Sequence, residues 1–153
     1  MLLALAAACS LLSGCLTGCG PDAKQARAMR QITPQQRREA VASMPPEKQL
    51  DVYLIAAGGE PGHNFSYDLA SNWKSVLPAL KQRLASQPGE AERVQLLWLL
   101  AAISENYCSL AERKDVLDAA SRVVASMGAS NKQYAEEPLR RVIHPTKQLP
   151  PCQ

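Results

Sequence analysis

The chain is poor in the side chains that carry much of enzyme and nucleic-acid chemistry. It has one phenylalanine, two tryptophans, four tyrosines and two histidines in 153 residues. Aromatics make up only 5% of the sequence. With aromatics this scarce, the fold must be built mainly from Leu, Ala and Val, an alphabet that favours helix over strand. With only His63 and His144 available, a histidine-based nucleophile or a histidine metal cluster has little to draw on. Strong net charge is also lacking: the balance is +3 at pH 7. No nucleic-acid motif is present. The loop "GGEPGHNFS" has glycines but neither Walker nor dinucleotide spacing, and reads as a plain connection. Asn64-Phe65-Ser66 matches a glycosylation acceptor pattern.

What is present lies mostly at the start. Met1 to Leu12, "MLLALAAACSLL", is a continuous apolar run. It is followed by Leu12-Ser13-Gly14-Cys15 and then Leu16-Thr17-Gly18-Cys19, the same Leu-small-Gly-Cys tetrad twice. The run is too short and too glycine-broken for a good membrane span of about 20 residues. An apolar helical stretch before small residues is the pattern of a secretory signal.

With cysteine at the cleavage position, residues 1–18 resemble the signal peptide of bacterial lipoproteins and its lipobox. The resemblance implies lipid transfer to the cysteine thiol and cleavage just before it. Several acyl chains would then anchor the protein firmly. No Lys or Arg precedes the apolar run, a departure from the class pattern. Cys19 is favoured over Cys15 as the acylated residue. Cleavage before Cys15 would leave a very short signal, and it would leave Cys19 as an odd thiol in an oxidising compartment. Neither cysteine is followed by aspartate, which in that class favours the outer over the inner membrane. The expected location is the bacterial envelope, lipid-anchored and facing the periplasm.

Residues 19–32 read as a basic flexible tether. Between Asp22 and Glu39 lie Lys24, Arg27, Arg30, Arg37 and Arg38, whereas the chain from Ala40 onward carries 12 basic and 12 acidic residues. All of the excess charge is therefore near the anchor, where an anionic membrane surface would attract it.

Residues 33–153 read as a single helical domain with an extended C-terminal tail. Thr33-Pro34 opens a helix over 34–44, ended by Pro45-Pro46. Pro46 opens the next, to about Ala57. Residues 67–84 carry an apolar face with Pro78 expected to kink or split the helix. Residues 90–107 are apolar nearly all round and form the expected central helix. Residues 114–127 follow, with Gly128 as a C′ residue. The last helix spans 132–143, interrupted by Pro138. The expected fold is all-α: about five helices as antiparallel hairpins, in a small bundle or a short right-handed stack. It distantly resembles HEAT-type helical hairpins.

Export also bears on the remaining thiols. Cys108 and Cys152 are expected to pair, closing a loop that contributes about 3–4 kcal/mol in the chain-entropy model. A catalytic Cys108 lacks a base in any recognised motif. A zinc site from Cys108, His144 and Cys152 lacks paired-ligand spacing and competes with the bridge. Glu90/Glu92 and Glu136/Glu137 read as helix-terminal or helix-face acids, and Trp73 and Trp98 as core. No catalytic residue, metal ligand or cofactor site is assigned. The reading that results is a non-enzymatic protein-binding module of the envelope, such as an assembly factor or toxin-immunity protein. The alternatives are a structural component of an envelope complex or a Cys-dependent enzyme.

Overall fold

A computed structural model describes residues 21–57 and 63–153, and the described residues are helical with no strand beyond one isolated bridge. Cys15 and Cys19 lie outside them. The first helix, α1 (Pro21–Gln31), falls where a flexible tether was expected. The reason lies in two residues one turn apart, Ala26 and Met29, both under 5% exposed. They pack onto the third helix, and Arg30 caps that contact by donating to the Ala56 carbonyl at 2.6 Å. A stripe this narrow becomes a helix through its tertiary partner rather than through its own propensity.

Helix α2 (Pro34–Ala42) starts as its sequence dictates. The Gln36 N–H donates to Thr33 Oγ1, and the Thr33 N–H donates to Gln36 Oε1, a complete capping box with proline at the first turn. Helix α3 spans Pro46–Ala57. The expected helix over 67–84 is two helices, α4 (His63–Ala70) and α5 (Trp73–Ala85). The break falls at Ser71-Asn72, not at Pro78, and α4 takes in the last residues of the expected loop. Ser71 Oγ donates to the Asp68 carbonyl, and Asn72 Nδ2 to Gln49 Oε1 on α3, so both polar side chains gain partners by leaving the helix. Pro78 stays inside α5 on its exposed side, where water can satisfy the carbonyl that the proline leaves without a donor.

Helix α6 (Glu90–Asn106) is the buried centre: Leu96, Leu97, Leu99, Leu100 and Ile103 are all 0% exposed. Helices α7 (Lys114–Ala125) and α8 (Ala129–Ile143) complete eight helices among the described residues, against about five expected. Gly128 is not a left-handed C′ residue. Its φ of −65° is extended, and it forms the N-cap of α8.

The packing follows one rule. Each helix contacts the helix two places along: α1 on α3, α3 on α5, α5 on α7, and α2 on α4, α4 on α6, α6 on α8. Odd helices thus form one layer and even helices another, with α3·α4, α5·α6 and α7·α8 joining the layers. The result is a two-layer stack of helical hairpins. Helices α6 and α8 run parallel. The start of one meets the start of the other at Glu90–Gly128, and the ends meet at Ser104–Val142.

Candidate functional site

The sequence singled out Cys108 and Cys152, and the structure joins them in a disulfide. Cys108 follows the end of α6, and the tail after α8 runs back beside it. Ser109 donates its N–H to the Pro150 carbonyl at 2.8 Å, and Cys152 donates its own to the Ser109 carbonyl at 3.0 Å, so the tail enters as a short parallel bridge. Both sulfurs are buried. Beneath them Ser104 Oγ donates to the Val142 carbonyl and accepts from the Leu110 N–H, tying α6, α8 and the following turn together. The Cys108 sulfur holds no free thiol. His144 is exposed at the C-terminus of α8. Among the described residues, no three of His, Cys, Asp and Glu converge as a metal-ligand set.

The strongest polar feature was not anticipated. Arg37 on α2 donates Nε–H to Asp68 on α4 at 2.6 Å, with side-chain exposures of 10% and 4%. Arg37 also donates to the Ile32 carbonyl, and its guanidinium lies 5.1 Å from the Phe65 ring centroid. Arg38 reaches the other Asp68 oxygen from solvent. A buried charge pair is tolerated when each partner has several hydrogen bonds, as here. The signal was in the register: Asp68 lies on the same helical face as Phe65, and Arg37 one turn from Val41, so both charges occupy apolar positions.

Carboxylates elsewhere act as ties between helices. Glu90 accepts from the Gly128 N–H at 2.8 Å and from the Asn131 side chain. The Gly128 bond, then the Asn131 bond, holds its carboxyl below the usual glutamate range. Glu137 is held low by Arg141 and then Arg140. Arg141 also reaches Glu105 and covers the Trp98 ring at 5.3 Å. Asp115 is held low by Arg113 and then Lys81 of α5. Arg83 bridges Glu92 and Asp51. Burial pushes the Tyr53 hydroxyl up while it donates to the Gln95 carbonyl. Glu90, Glu92 and Glu137 therefore act at helix starts and faces, as expected. Glu136 is exposed. Trp73 and Trp98 are half-buried against the core rather than inside it, each with a cation over its face.

A cleft of about 190 Å³ between α3 and α5 is lined by Glu47, Leu50, Ala79, Gln82, Arg83 and Ser86. Another, of about 120 Å³, lies against α7 near Arg93 and Arg122. Both are smaller than the roughly 300–1,000 Å³ of ordinary ligand pockets. No described helix is long and apolar enough to cross a membrane. The arrangement offers surfaces and charge-compensated ties, with a covalently pinned tail. The chain matches no protein-family model, no curated protein and no solved structure.

Proposed function

We propose that the protein is a lipid-anchored envelope lipoprotein whose helical stack serves as a non-enzymatic protein-binding module. The observation that carries this reading is the doubled Leu-small-Gly-Cys tetrad directly after the apolar run. The Cys108–Cys152 bridge supports it, because structural disulfides belong to oxidising compartments. A stack of helical hairpins supports binding over catalysis, since such stacks present extended surfaces to other proteins. In this reading Cys19 carries the acyl chains, with Cys15 as the competing position, and the stack faces the periplasm at the outer membrane. Its cargo is a protein partner, as for an assembly factor or an immunity protein.

Mass spectrometry of the N-terminal peptide from the envelope fraction tests the anchor. The expected result is a multiply acylated Cys19 as the first residue. Acylation of Cys15 would move the site, and an unmodified terminus would overturn the lipoprotein reading. Cross-linking in intact envelopes tests the binding role. One soluble partner recovered in fixed proportion supports a binding module, whereas recovery within a fixed membrane complex would replace it with a structural role.

A further inference from the structure

The excess positive charge of the chain is built into the first two helices of the stack, not carried on a loose arm. Helix α1 has Lys24, Arg27 and Arg30 against Asp22, and all three basic side chains are exposed. Lys24, Arg27 and Gln31 recur at helical spacing on the side away from Ala26 and Met29, the two residues that fasten α1 to the core. Arg38, also exposed, adds charge on α2. From Ala40 onward the chain is neutral.

This end of the stack is also the end nearest the anchor. Only Gly20 lies between Cys19 and Pro21, so the chain can span at most about 7 Å from the acylated residue to the first turn of α1. Lys24 is about 4.5 Å farther along the helix. The sum, at most about 12 Å, is on the order of the screening length of about 8 Å at physiological salt, so the attraction between Lys24 and the headgroups is weakened by salt but not abolished.

We propose that the outer face of α1, with Lys24 and Arg27 at its centre, docks on a bilayer surface rich in anionic headgroups and so fixes the orientation of the whole stack. This rests on acylation at Cys19, two positions before α1. The lipid holds the domain at the membrane, and the basic face decides which end points down. The α7–α8 end is left farthest from the bilayer, available to a partner.

The acylated full chain, reconstituted into phosphatidylcholine vesicles with or without phosphatidylglycerol, provides the test. Amine-reactive labelling is read at Lys24 and, as a control at the far end, at Lys132. One basic residue near an anionic surface gains about fivefold in local affinity. Lys24 labelling should therefore fall about fivefold with phosphatidylglycerol at low salt and recover at high salt, with Lys132 unchanged. The Arg27→Glu variant should lose most of that protection. Equal Lys24 labelling on both vesicle types would overturn the docking face while leaving the anchor intact. Intact mass read on the same sample separates the two: a chain without acyl groups overturns the anchor and the docking face together.

Discussion

The two ends of the stack are held together by different means. At the start, α2 is fastened to α4 by a buried ion pair, Arg37–Asp68, and α1 adds Ala26 and Met29 to the core. At the other end, α6 presents five fully buried aliphatic side chains, and a disulfide pins the tail that follows α8 beside the end of α6. One packing rule, each helix on the helix two along, is thus served at one end by directional polar contacts and at the other by apolar area and a covalent bond. Apolar packing tolerates change in proportion to volume, whereas a buried charge fails abruptly when its partner is removed. The end formed by α1 and α2 should therefore be the more brittle one.

Asp68→Ala is the most direct way to break this comparison. It leaves the Arg37 guanidinium buried and unpaired, and should cost about 3–5 kcal/mol in urea unfolding. A loss near that of an exposed pair, below about 1 kcal/mol, would mean that the pair is not what holds α2. Next is removal of the bridge by Cys108→Ser with Cys152→Ser. The expected loss is about 3–4 kcal/mol. Hydrogen exchange sharpens the contrast: the Ser109 and Cys152 amides should lose protection while those of α2 keep theirs. Gln87, between α5 and α6, sits at the junction of the two ends with a left-handed φ of 52°. Gln87→Gly relieves that strain against the greater flexibility of the unfolded chain, and should gain about 0.5 kcal/mol in thermal unfolding. The smallest effect is pH dependence at the later end. Glu90 and Glu137 titrate below the ordinary glutamate value of 4.5 when folded. Their contribution is present above that value and disappears as pH falls through the native titration. The protection of the Gly128 amide, taken relative to its intrinsic exchange rate at each pH, should therefore fall as pH drops below 4.5, while that of the α2 amides lags behind.

Where elements were legible in the sequence, the information was local. The Thr33–Gln36 capping box, the Pro46 start and the apolar run of α6 each depend on residues within one helix. Where they were not, a partner distant in sequence decided the outcome. Helix α1 exists because α3 receives Met29. The 71–72 break is rewarded by Gln49, and Gly128 is extended because Glu90 accepts its N–H. The Cys108–Cys152 pairing was accessible because only two thiols remained once the N-terminal cysteines were set aside. The Arg37–Asp68 pair was missed because each charge alone looks solvated, although both occupy apolar register.

The two ties between α6 and α8 share one number. Glu90 to Gly128 and Ser104 to Val142 are each separated by 38 residues. They act as two rungs of a ladder cut to the same length. Deleting one residue within α6, between the rungs, would turn its end by about 100° and leave one rung without its partner. Inserting one residue in the turn before α7 lengthens both spans equally and leaves both rungs matched. The stack should thus accept changes of chain length between its helices and reject them within α6 or α8.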